Sequence, residues 1–388
     1  MKFFRDQNWF LTLFFLALIA GVSLTQLAVE THLGEGPQAL EIFQQRPTAQ
    51  NFRSYEHALE DASWVQKHLR LWAQEAQFSW LKDGGEKVLV GHDDWLFYKP
   101  GVQFATERLG IHQDQSTPTD AVTAIVALRD GLSARGVQLI VMPAPNKESI
   151  YPNKLTHRAP ASGTLVSRDT KALMSGLKAA QVEVIDLFAV FAEAKTASSP
   201  SPPLYLTQDS HWSPAGVKLA AQTVARRLIE RDWIKSGSVV YQEKPSAVAR
   251  VGDLVRMLHV PRIERSTVPE SIECVQVLRQ GTDEPYQNDP ASEILVLGDS
   301  FMRIYQSDEP GAAGFLAHLA KELKQPIASI VNDGGASTLV RQELFSRPAL
   351  LKKKKVVLWE FVERDIRLGT EGWQVVPLPP VSVGLRPP

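Results

Sequence analysis

The chain has 388 residues, 44% of them hydrophobic and 22% charged, and a formal charge of −1. That balance fits one large folded domain or two modest ones. It excludes a disordered chain and a polycation built to bind nucleic acid. The single cysteine, Cys274, excludes an internal disulfide framework and a cysteine-rich metal centre.

Lys2 and Arg5 precede an apolar run from Trp9 to about Val29, uncharged between Leu11 and Leu24. About 20 helical residues cross a bilayer core, and a basic flank stays on the cytoplasmic side. Residues 1–30 are therefore read as a retained signal anchor in the inner membrane, with the rest of the chain periplasmic. A cleaved signal peptide is the competing reading, although no clear small-x-small site stands before Glu30. Residues 31–86 read as a helical stalk, with Trp64, Leu69, Trp72 and Trp80 set among polar residues.

The main domain is expected over residues 87–370. It opens on a strand pair, Lys87–Val90 and Trp95–Tyr98, split by a Gly-His-Asp-Asp turn. Helical patterns follow at 118–135, 164–180, 213–232, 311–324 and 336–351, and strand patterns at 137–142, 182–187, 294–297, 327–331 and 356–361. Apolar strands alternating with helices predict an α/β fold whose parallel sheet is covered by helices on both faces. Its active site belongs at the carboxyl ends of the strands. Residues 236–291 break the pattern with Pro, charge and short extended pieces, and read as an inserted lobe. The basic run Lys352–Lys355 reads as a solvated helix end. Residues 371–388 form a Pro-rich tail.

Two segments carry chemistry. Ile294–Leu297 leads into Gly298-Asp299-Ser300-Phe301, which places a serine at the carboxyl edge of the sheet. A serine hydroxyl attacks only if a base removes its proton. The best base lies in Thr207-Gln208-Asp209-Ser210-His211-Trp212, a polar loop before a strong helix. With Asp209 holding Nδ1–H, the His211 Nε2 is free to face Ser300. Asp-x-His is also a metal-ligand spacing, but His92, His112 and His157 complete no recognisable set, so no metal is expected. Oxyanion or substrate contacts are sought in Asn332 and Gly334, in Asn146 and Lys147, and in Arg303 and Tyr305. A structural turn explains the Asn332 loop nearly as well, and an ordinary ion-pair or surface role is the better reading of Arg303 and Tyr305. Trp212 is read first as packing against the next helix, with stacking on a sugar as the alternative.

These motifs resemble those of the AlgJ/AlgX family of alginate O-acetyltransferase proteins, whose catalytic domain is SGNH-hydrolase-like. The resemblance rests on Gly91…Trp95-Leu96-Phe97-Tyr98, Pro143…Pro145-Asn146-Lys147, Asp209-Ser210-His211-Trp212, Gly298-Asp299-Ser300-Phe301 and Trp359-Glu360…Glu363-Arg364-Asp365, over about residues 87–367. In that family Asp-x-His precedes Gly-Asp-Ser, as here, the reverse of ordinary SGNH hydrolases and as in a circular permutation. The resemblance implies a flavodoxin-like sheet and a triad of Ser300, His211 and Asp209. It implies acetyl transfer through a serine acyl-enzyme to hydroxyls of an exopolysaccharide, without a cofactor, and with a membrane-bound protein supplying the acyl group. A carbohydrate esterase with the same triad, and a non-catalytic glycan-binding scaffold, remain as alternative readings.

Overall fold

The computed structural model describes residues 3–106, 117–197 and 202–378. His112, one of the histidines weighed above, lies outside them. The chain divides into two compact units, residues 1–85 and 86–388.

The first unit is helical. Helix α1 (Phe3–Leu33) contains a 25-residue stretch, Trp9–Leu33, that is long and apolar enough to cross a membrane. Within the range expected to be helical lie α2 (Ala49–Ala62) and α3 (Trp64–Leu81). Ser63 makes the break: its hydroxyl accepts the Gln66 N–H and caps α3. Gln26 of α1 accepts the Trp64 N–H at 2.8 Å, which ties α1 to that junction.

The second unit holds the strands β1 (Val88–Val90), β2 (Leu96–Tyr98), β3 (Gln138–Ala144), β4 (Glu183–Val184), β5 (Tyr241–Arg250), β6 (Glu270–Arg279), β7 (Ile294–Gly298), β8 (Ala328–Val331) and β9 (Val356–Val362). β1 and β2 form the expected antiparallel pair. The main sheet runs β4-β3-β9-β7-β8 and is parallel throughout. Numbered from the Gly-Asp-Ser strand β7, this is the doubly wound order 2-1-3-4-5 read from the other edge. The chain enters that order at its fourth strand and ends at its third. The fold is thus a flavodoxin-like α/β domain whose strands are visited in circularly permuted order.

Both faces of the sheet are covered, so its strands are apolar on both sides. Val356, Leu358 and Val362 of β9 join one core with residues of α6 (Leu187–Thr196), α7 (Pro214–Glu230) and α8 (Phe315–Leu323). Val357, Trp359 and Phe361 join the other with α4 (Pro118–Ser133), α5 (Arg168–Ala179) and α9 (Leu339–Ser346).

Several expected boundaries shift for local reasons. The strand expected over 182–187 stops at Val184, because the Asp186 carboxylate accepts the Ala189 N–H and starts α6. The helix expected to Leu351 ends at Ser346, before Pro348. Lys354 is not a solvated helix end: it is buried and donates to the Pro290 and Ser292 carbonyls. The inserted lobe is an antiparallel arm, β5 with β6, in register from Tyr241–Arg279 to Arg250–Glu270. Two short helices, Asp253–Met257 and Pro261–Ser266, fill the turn between them.

Candidate active site

β7 ends on Gly298 because nothing larger fits. A Cβ there would stand 2.4 Å from Met302 Cγ and 2.7 Å from Glu360 Oε2. The chain then turns into a single helical turn, Ser300–Arg303, capped by Asp299, whose carboxylate accepts the Phe301 N–H at 2.8 Å. The other Asp299 oxygen accepts the Val362 N–H at 3.4 Å and so ties the turn to β9. Ser300 is half-buried at the carboxyl edge of the sheet. Its own N–H opens the turn and has no intrahelical acceptor.

The second segment is folded against the first. A Tyr205–Trp212 bridge closes the loop, and Ser213 caps α7 through the Gly216 N–H at 3.3 Å. His211 Nε2 lies 2.8 Å from Ser300 Oγ, and His211 Nδ1 lies 2.7 Å from Asp209 Oδ1. Asp209 and His211 are both buried. Burial works against the Asp209 carboxylate, but the hydrogen bond and charge of His211, with Arg250 next, hold its carboxyl well below the usual range. Burial by itself would lower the His211 imidazole. The hydrogen bond and charge of Asp209, with the charges of Asp253 and Asp299, outweigh it and leave the imidazole raised. The arrangement can pass a proton from the hydroxyl to the ring while a fixed carboxylate stabilises the cation.

The other predicted residues divide sharply. Trp212 is fully buried between Phe301 and Phe315, so its face is closed to any sugar. Tyr305 is also fully buried, with its hydroxyl donating to the Trp212 carbonyl at 3.4 Å, and it cannot touch a substrate. Lys147 is no rim residue. Its buried ammonium donates to the carbonyls of Leu96 (2.6 Å), Thr207 (2.8 Å) and Asp209 (3.1 Å), and burial brings it down to about 7. It joins the β2 hairpin to the histidine loop. Asn146 is buried, its N–H donating to Glu363 at 3.0 Å, and its side-chain amide has no partner among the described residues. Arg303 pairs with Asp333 at 2.8 Å and with Asp308. Asn332 is half-buried, its N–H donating to the Gly298 carbonyl at 3.0 Å, beside an exposed Gly334 at φ +69°. These last two remain within the region that follows β8, next to the serine strand.

Sequence reasoning missed Arg250, Asp253 and Glu270. Arg250 Nε donates to Asp209 Oδ2 at 3.1 Å, and the Asp253 N–H donates to the same oxygen at 3.2 Å. They lie some forty to sixty residues beyond the histidine loop, in a segment with no recognisable motif. Only the charged residues flanking the arm marked the place. Asp209, His211 and Asp253 lie close enough together to hold a cation. The atoms that face one another already have partners: His211 Nδ1 and Asp209 Oδ1 pair at 2.7 Å, and Asp253 Oδ2 accepts from the Ser210 hydroxyl at 2.5 Å.

The family described as the SGNH hydrolase-like domain of the acetyltransferase AlgX matches residues 88–363. A probable alginate O-acetylase AlgJ of Pseudomonas syringae pv. tomato is 23% identical over 300 residues, covering 76% of this chain and 72% of that protein. A Pseudomonas putida protein of the same name is 24% identical over 319 residues, covering 78% and 77%. The solved O-acetyltransferase domain of Pseudomonas putida AlgJ superposes with a TM-score of 0.54 at 21% identity, over 72% of this chain and 92% of that one. At that identity the structural likeness speaks for the fold.

Proposed function

We propose, from the premise that this chain belongs to the AlgX SGNH hydrolase-like acetyltransferase family, that Ser300, His211 and Asp209 are the catalytic triad of an exopolysaccharide O-acetyltransferase. The observation that carries the reading is the unbroken relay from Asp209 Oδ1 through both imidazole nitrogens to Ser300 Oγ, at 2.7 and 2.8 Å. In the first half-reaction Ser300 Oγ attacks the carbonyl of an acetyl ester while His211 Nε2 takes its proton. The tetrahedral intermediate collapses, the donor's ester C–O bond breaks, and His211 returns the proton to the departing oxygen. In the second, a sugar hydroxyl gives its proton to His211 and attacks acetyl-Ser300. The serine oxygen leaves and recovers the proton. The Ser300 N–H, together with Asn332 or the Gly334 backbone, is suited to the oxyanion.

The acceptor in this reading is an alginate-like polysaccharide, the class for which the AlgJ relatives are named. Helix α1 would anchor the chain in the inner membrane, with the domain on the periplasmic side and a membrane-bound protein delivering the acetyl group. The test incubates the full chain in detergent with an aryl acetate, with and without an alginate oligosaccharide. Acetyl ester on the sugar is the expected product, and release of acetate alone identifies an esterase. Ser300→Ala should lower the rate by about 10³-fold or more. Unchanged activity in that variant removes the triad.

A further inference from the structure

The histidine loop, residues 207–211, has no secondary structure of its own, so its backbone amides need acceptors from elsewhere. The arm supplies them in sequence. The Thr207 and Gln208 N–H groups donate to the two oxygens of Glu270, each at 2.9 Å. The Ser210 N–H donates to Asp253 Oδ1 at 2.7 Å and its hydroxyl to Asp253 Oδ2. Arg250 and the Asp253 N–H fill Asp209 Oδ2. Arg250 and Glu270 face one another on the last rung of the arm, so one rung grips both ends of the grasp. Gly252 permits the approach: a Cβ there would lie 2.0 Å from the Gln208 carbonyl oxygen and 2.7 Å from the Asp209 nitrogen.

We infer that the β5–β6 arm is a positioning element for the triad, and that Arg250 sets the negative charge that Asp209 presents to His211. This inference rests on the triad reading given above. Asp209 has two oxygens with opposite duties. Oδ1 faces the imidazole, while Oδ2 is held by a guanidinium that draws charge away from it. A carboxylate so paired stabilises an imidazolium less than a free one does. Arg250 therefore keeps His211 a better proton donor to the leaving oxygen, and Asp308, 3.4 Å from Arg250 Nη1, moderates that pull. Other ionisable groups surround the pair, and both Arg250 variants leave them in place. Asp253 stands 3.6 Å from His211 Nδ1, and Asp299 adds a charge from the serine turn. Lys147 faces the Asp209 carbonyl, Glu270 the start of the loop, and Tyr305 packs near Asp209 and Arg250.

The test is the pH dependence of kcat/KM for an aryl acetate, measured on the full chain in detergent. Removing the guanidinium in Arg250→Met should move the acid limb to higher pH by about half a unit to one unit, and Arg250→Lys should return it towards the parent. A limb that stays in place in a folded Arg250→Met protein overturns the inference. If that variant does not fold, Asp308→Asn decides. It frees the pull of Arg250 and should move the limb to lower pH, and any other result overturns the inference. A purely structural arm would lower the rate without moving either limb. An active Ser300→Ala protein would instead remove the triad reading itself.

Discussion

His211 acts as a base only while its imidazole is uncharged, and its surroundings make that condition harder to meet. Burial favours the neutral ring, but Asp209, Asp253 and Asp299 together raise it above the ordinary histidine value of 6.5. A raised imidazole gains its proton at higher pH, so the active form is lost earlier as pH falls. The acid limb of the kcat/KM profile should therefore lie above pH 6.5. A midpoint below that value would mean that Asp209 does not hold Nδ1 in solution. Lys147 carries a different lesson. A lysine leaving a strand end in a Pro-Asn-Lys loop suggests a substrate contact, yet its three carbonyl partners make it an internal strut between elements distant in sequence.

At the level of elements, the central strand β9 organises the carboxyl edge of the sheet. Its last residues and the turn after it reach outward on both sides: the Val362 N–H to Asp299 of the serine turn, and Glu363 to the loop after β3. Glu363 is fully buried and accepts the Asn146 N–H at 3.0 Å, the Ser149 hydroxyl at 2.5 Å and the Thr170 hydroxyl at 2.6 Å. Glu363→Ala would leave the buried Asn146 N–H and Ser149 hydroxyl without this acceptor, at a cost of about 3 kcal/mol, while the Thr170 hydroxyl keeps Ser167. The expected outcome is a clearly lower thermal unfolding midpoint for the full chain in detergent. An unchanged midpoint would show that the donors find other acceptors. The Trp359-Glu360…Glu363 pattern is visible in the sequence, but its purpose as a tie between β3, α5 and β9 is not.

For the molecule as a whole, the order of the strands explains an order of motifs. Because the chain enters the doubly wound sheet at its fourth strand, the loop bearing Asp209 and His211 comes before the strand bearing Ser300. Spatially the two still meet at one edge, as the 2.8 Å contact records. The unit of residues 1–85 carries the membrane expectation, since Trp9–Leu33 is long and apolar enough to span a bilayer. If α1 is the anchor, the full chain should stay with membranes through an alkaline carbonate wash, and a chain lacking residues 1–33 should be released. A truncated chain that still sediments with membranes would place the attachment elsewhere.

Much of this was open to a reader of the sequence alone. Helix and strand patterns depend on local periodicity, so the alternation, the two-sided sheet and the positions of β3, β7, β8 and β9 could be read from the run of apolar residues. Gly298-Asp299-Ser300 and Asp209-x-His211 are likewise local, each a few residues long. Side-chain fate is not local. Trp212 and Tyr305 have the polar tips and broad faces of ligand contacts, and only packing decided that both are sealed in the core. Arg250, Asp253 and Glu270 acquire their meaning from a hairpin register that brings them beside a loop forty residues or more away. Hydrogen bonds and ion pairs act over about 3 Å of space whatever their separation along the chain, so that part of the site existed only once the fold had closed.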